Sequence, residues 1–169
     1  MGACTSAPSH LAMVQPTKST NGREDHVSAK TPEDILGFEY DWLAVDKDGH
    51  LGLFSTAGGG RAPQTFLADT DAHDAGLDAL MASPPTTSAR FFRQSKTGLD
   101  NAWKNAAERG VFAFDSDPSG APYRLVAAPK AASTIDGVPA ITAQAGGRVK
   151  LDHLCFADVR EGEIVTVET

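Results

Sequence analysis

The sequence predicts an α+β fold: a mostly antiparallel sheet built from two hairpins plus C-terminal strands, packed by two or three helices. Three observations carry this. Two apolar runs, Tyr40 to Asp46 and Leu51 to Thr56, are joined by Lys47-Asp48-Gly49-His50. A second pair, Val111 to Phe114 and Tyr123 to Ala128, flanks a turn from Asp115 to Pro122. Two segments, about 69–82 and 99–109, carry apolar side chains at helical spacing.

Taken in order, residues 1–30 read as a disordered tail, rich in Ser, Thr, Ala and Pro, that folding does not need. Residues 31–169 read as one globular domain. Thr31-Pro32-Glu33-Asp34 starts a helix: an N-cap hydroxyl, proline at the first helical position and acids in the first turn, with Gly37 ending it. The first hairpin turns at Asp48-Gly49, where glycine supplies positive φ. Tyr40, Trp42 and Ala44 share one strand face; Leu51, Leu53 and Ser55 share a face of its partner. Ala57 to Pro63, with three consecutive glycines, reads as a flexible loop.

Asp69 to Ala82 reads as a helix with a stripe of His73, Leu77, Leu80 and Met81, stopped by Ser83-Pro84-Pro85. Arg90, Phe91, Phe92 and Arg93 fall in a linker. Leu99 to Arg109 is a helix burying Leu99, Ala102, Trp103 and Ala106, with Asp100 paired to Lys104 and Gly110 as a left-handed cap. Ile135 to Gly147 reads as an irregular stretch. Val149, Leu151 and Cys155 alternate with polar residues as a strand, and Ile164 to Val167 forms the last one.

The 169 residues carry a net charge of −7. The tail is +1, which leaves −8 on the remainder. That balance argues against a nucleic-acid partner, and no apolar run is long enough for a membrane span. Cys4 and Cys155 lie too far apart in sequence and context for a disulfide framework, so a cytoplasmic setting is expected. Met1-Gly2-Ala3-Cys4-Thr5-Ser6 matches a lipidation pattern, but the Ala-, Asp- and Gly-rich composition points to a bacterial gene, in which that pattern has no meaning.

Several constellations have two readings each. Asp69, Asp71, His73, Asp74 and Asp78 are either ligands for a hard cation or acids at a helix N-terminus, where the macrodipole favours them. Asp46-Lys47-Asp48-Gly49 is either a partial calcium loop or a hairpin turn. His153 and Cys155 share a strand face as a nucleophile and base, or as a structural pair. Gly58-Gly59-Gly60-Arg61 is either an anion cradle or a loop with one guanidinium. No metal, cofactor or catalytic motif follows from these patterns.

Two stretches carry a resemblance. Glu39-Tyr40-Asp41-Trp42-Leu43-Ala44-Val45-Asp46, continuing to Ala57-Gly58, and Arg109-Gly110-Val111-Phe112-Ala113-Phe114-Asp115, continuing through Pro122-Tyr123-Arg124-Leu125-Val126-Ala127, resemble a group of small, little-characterised bacterial proteins. The likeness spans roughly residues 38–130. In size, acidity and lack of catalytic motifs the chain is similar in type to immunity proteins, which neutralise bacterial toxins. The expectation is therefore a non-enzymatic protein-binding domain that occludes a basic toxin, steered by its acidic surface. Asp46, Asp48, Asp115 and Asp117 are the expected contact residues, because two hairpin turns would present them together. The alternative is a small-ligand-binding domain or enzyme, with Tyr40, Trp42, His50, Arg61 and His153 lining a pocket near the first hairpin.

Overall fold

The computed structural model describes residues 28–92, 101–120, 122–161 and 163–167. Its order is α1 (Pro32–Ile35), β1 (Asp41–Asp46), β2 (Leu51–Ser55), α2 (Gln64–Leu67), α3 (Thr70–Ala82), β3 (Ala89–Phe91), α4 (Asn101–Ala107), β4 (Phe112–Asp115), β5 (Tyr123–Pro129), α5 (Ala140–Gly147), β6 (Lys150–Leu151) and β7 (Ile164–Val165). Short 3₁₀ turns cover Ile135–Gly137 and Phe156–Asp158.

The strands form one mixed sheet in the order β3-β5-β4-β2-β1-β6, with β7 also on β5. The two expected hairpins, β1–β2 and β4–β5, are both antiparallel. They are joined to each other by a parallel pairing of β2 with β4, Gly52 facing Phe112 and Ser55 facing Asp115. The fold is α+β and mostly antiparallel.

Both faces of the sheet are covered, so the middle of β1, Trp42 to Val45, is an unbroken apolar run. One face carries Leu43, Val45, Leu51 and Leu53 against Leu80 of α3, Ala106 of α4 and Ala145 of α5. The other carries an aromatic stack: Trp42 on Phe54 at 4.3 Å, Phe54 on Phe114 at 4.6 Å, with Phe66 and Phe156 closing it. Three helices thus pack one face, and the one-turn helices α1 and α2 add Ile35 and Phe66 to the other.

Local signals hold where they are strong. Thr31 and Asp34 form a full capping box on α1. Asp69 caps α3 by accepting from the Ala72 N–H. Gly49 and Gly110 both take positive φ. Ser28 and Lys30, read as the end of the tail, are hydrogen bonded to Thr70 and Leu67.

Five expectations need correction. The stretch over Ile135–Gly147 contains α5, whose small side chains let it pack tightly on α3. The linker holding Arg90 and Phe91 contains β3, paired to β5. The strand through Cys155 stops at Leu151, so His153 and Cys155 share no strand face. Trp103 is only half-buried, because α4 turns Ala106 and Ala107 to the core; Leu99 and Asp100 lie outside the described residues, and Lys104 pairs with Glu108 at 3.6 Å. The triglycine loop is packed: a Cβ on Gly59 would stand 2.5 Å from the Pro118 carbonyl oxygen. Gly2, Cys4 and Arg93 also lie outside the described residues.

Candidate functional site: an acid-lined groove

The four turn acids do not form one surface. The β1–β2 turn precedes Leu51, whereas Asp115 lies beside Ser55 at the other end of β2. Four residue steps at about 3.3 Å each separate the two ends by roughly 13 Å. Asp46 is also unavailable to a partner, being 3% exposed. Its Oδ1 accepts from the Asp48 and His50 backbone N–H groups, and its Oδ2 from the Phe156 N–H. Asp48 is exposed and accepts from the Cys155 thiol at 3.0 Å. Asp115 is buried, and Asp117 accepts from the Ser119 N–H within its own turn.

The five pocket residues do not converge either. Trp42 is fully buried and donates its indole N–H to the Tyr123 hydroxyl, which donates in turn to the Arg61 carbonyl. The Arg61 side chain is exposed beside Leu36 and the glycine loop. His50 sits at the opposite end of the sheet with Nδ1 3.3 Å from Asp46 Oδ2. His153 is exposed near the Thr166 carbonyl. Of the five, Tyr40 lines the acid-lined groove described below, and Arg61 lines separate, smaller concavities beside Gly60 and Tyr123.

Cys155 has no base. Its thiol donates to Asp48, and that carboxylate pushes the thiol pKa up, so it stays protonated rather than nucleophilic. Donor atoms of Asp46, Asp48 and Cys155 lie within 4.8 Å of one another, and the hydrogen bonds just given account for that closeness.

The acids of α3 divide into separate roles. Asp69 is the helix cap and is also paired with Arg148 at 2.9 Å. Asp71 is exposed. His73 points inward, where its Nδ1 accepts from the Leu43 backbone N–H at 3.1 Å. Burial, with Arg148 adding to it, lowers the His73 pKa to about 4, so the ring is neutral, and its Nδ1 is taken up by the Leu43 N–H. Asp74 and Asp78, one helical turn apart, face a groove together with Leu77 and Met81.

That groove is an acid-lined concavity of about 760 Å³. Helix α3 forms one wall, Ala102 and Asn105 of α4 another, and Glu39, Tyr40 and Asp41 the end where the chain enters β1. No Lys or Arg is among these lining residues. Asp41 Oδ1 is shut off from solvent and has no hydrogen-bond partner. Burial first, then Glu39 and Asp74, raise the Asp41 pKa, while Ser55 works against the rise. Ser55 Oγ also donates to Glu39 Oε1 at 3.0 Å, tying that carboxylate to the sheet. Asp74 is raised by partial burial and by Asp71 and Asp78, with Lys30 a weaker opposing influence.

Glu39, Asp41 and Asn105 went unread as site residues in the sequence. A signal existed for Asp41: by period two it shares a face with Leu43 and Val45, an acid on an otherwise apolar face.

No helix among the described residues is long and apolar enough to cross a membrane. No protein-family model, curated protein or solved structure matches the chain.

Proposed function

We propose that this protein is a non-enzymatic protein-binding domain, a cytoplasmic bacterial inhibitor of the immunity type, that docks a basic partner protein. One observation carries the reading. Of the three large hydrophobic side chains exposed among the described residues, two, Leu36 (69%) and Phe38 (65%), stand two positions apart on the loop that leads into the groove lip. Their backbone is fixed rather than loose. The Gly37 N–H donates to the Gly58 carbonyl at 2.8 Å, and the Phe38 N–H to the Ile35 carbonyl at 3.1 Å. A preorganised apolar knob flanked by Glu33, Asp34 and Glu39 suits an interface with an apolar centre and a charged rim. The excess of negative charge after the tail supplies long-range attraction to a basic surface.

The alternative of a small-ligand pocket near the first hairpin has less support, since its five residues are spread over the fold. The test is affinity capture from the native cell with wild-type protein and with the Leu36→Ser/Phe38→Ser double variant. Both side chains are exposed, so the variant keeps the fold. A basic protein retained by the wild type and lost by at least tenfold from the variant supports the reading. Equal capture by both overturns it.

A further inference from the structure

We infer that the face bearing Leu36 and Phe38 is a two-fold contact on which a second copy of this chain docks. The dimer stands on its own; its consequence, that a second copy and a foreign partner compete for one surface, rests on the docking reading above. A two-fold interface uses the same patch from both subunits, so the patch has to carry its own complement. This one does so in shape and in charge.

The shape comes first. Beside the apolar knob lies a hollow of about 380 Å³, lined by Pro32, Ile35, Leu36, Ala62 and the glycine loop. Leu36 belongs to both knob and hollow. The hydrogen bond from the Gly37 N–H to the Gly58 carbonyl, 2.8 Å, ties the knob to the loop that walls the hollow. Protrusion and recess therefore keep a fixed offset. A two-fold axis between them sets each copy's knob against the other's hollow.

The charges match the same operation. Glu33 and Arg61 both line the hollow, and neither side chain has an ion-pair or hydrogen-bond partner among the described residues. The neighbouring acids are engaged: Asp34 accepts from the Thr31 N–H and Glu39 from the Ser55 hydroxyl. One negative and one positive charge leave the hollow neutral, so copies of a chain with net charge −7 can meet there. Under the two-fold operation Arg61 of each copy faces Glu33 of the other. These exposed pairs fix the orientation, and the apolar knobs supply most of the affinity. Two knobs and two hollows make an interface of the class below about 1,200 Å², so the dimer is weak and concentration-dependent.

Sedimentation equilibrium of the full chain, at physiological ionic strength and over a micromolar-to-millimolar series, reads the mass. It should rise from 17.7 kDa toward twice that value and no further. Leu36→Ser/Phe38→Ser should weaken dimerisation at least tenfold. Ile141→Ser, which removes the exposed large hydrophobic of α5 across the sheet, should leave it unchanged. Arg61→Glu should also weaken it at least tenfold, and adding Glu33→Arg to that variant should restore it, which a purely apolar contact would not do. Amide NMR shifts that follow dimerisation should centre on Leu36, Phe38, Gly58 and Arg61.

A chain that stays at 17.7 kDa throughout overturns the proposal. So does growth past the dimer, an equally strong dimer from the Leu36/Phe38 variant, or a double charge swap that fails to restore the Arg61→Glu loss. If no dimer forms while the Leu36/Phe38 variant still loses its captured partner, the two-fold contact falls and the docking reading stands. If the dimer forms as described and that variant keeps its partner, the docking reading falls and the dimer stands.

Discussion

Asp46 accepts the Phe156 backbone N–H at 2.7 Å across 110 residues of chain. The other carboxylate oxygen accepts from Asp48 and His50, so one buried side chain closes the first hairpin and anchors the segment that brings Phe156 onto Phe54 and Phe114. Asp46→Ala orphans these N–H groups and should cost about 3 kcal/mol, within the usual penalty for unsatisfied buried donors. Asp46→Asn should cost less, because its amide oxygen still serves one side. Urea unfolding followed by circular dichroism measures both. Charge reversal at Asp46 should therefore report on folding, and a change in partner binding by that variant says nothing about encounter.

His73 gives the protein a pH-dependent stability with a definite sign. The unfolded ring takes a proton below 6.5, whereas the folded ring resists it until about 4. The unfolded state thus binds more protons in that window, and stability rises with pH across it. The contribution is complete above 6.5 and is lost as pH falls through about 4. Its full size is roughly 3 kcal/mol at 1.36 kcal/mol per pKa unit. Asp41 and Asp74, with raised pKa values, act in the opposite sense: their burden on the fold lightens as pH falls from those raised values toward 3.8. The net slope is a difference, so the direct check is the His73 ring by NMR. It should stay neutral through the range in which exposed histidines titrate, and a midpoint near 6.5 would refute the burial argument.

Gly76 marks where α3 and α5 touch. A Cβ there would lie 2.7 Å from the Ala145 Cβ, and Thr142 Oγ1 donates to the Gly76 carbonyl at 2.7 Å. In an open helix Gly→Ala gains up to about 1 kcal/mol. Here overpacking costs about 1–3 kcal/mol, so Gly76→Ala should be net destabilising. Thermal unfolding measures this, and Ala145→Gly added to the same chain should restore part of the loss.

The legible parts of this fold are those written locally. The Thr31 capping box, the Asp48-Gly49 turn and the Asp69 cap each satisfy backbone groups within a few residues, and each was readable from spacing. Helix α5 was not, because Ala140, Thr142, Ala145 and Gly146 form no large apolar stripe; it is held by close packing on α3 and on Leu51. Strand β3 is three residues long and exists through its pairing with β5. The site failed to emerge for the same reason. That β2 runs parallel to β4 decides which turns are neighbours, and nothing near Asp46 or Asp115 encodes that pairing. The groove takes one wall from α3, one from α4 and its end from the lead into β1, so its acids become a group only once those elements are packed.

The location of the steering charge can be tested against total charge. Asp74, Asp78 and Glu39 are exposed at the groove, and Asp48 is exposed at the far end of the sheet. Asp78→Lys and Asp48→Lys change net charge equally, yet only the first changes the field where a basic partner arrives. Rim charges act chiefly on encounter, so Asp78→Lys should slow association with the captured partner by about tenfold at low salt and alter dissociation much less. Asp74→Lys/Asp78→Lys should slow it further. The difference between groove and far-end variants should shrink as salt rises, since screening sets in beyond about 8 Å at physiological ionic strength. Surface-based kinetics over a salt series measures both rates, with circular dichroism on each variant to confirm folding. If Asp48→Lys slows association as much as Asp78→Lys, attraction comes from net charge alone and the groove has no steering role.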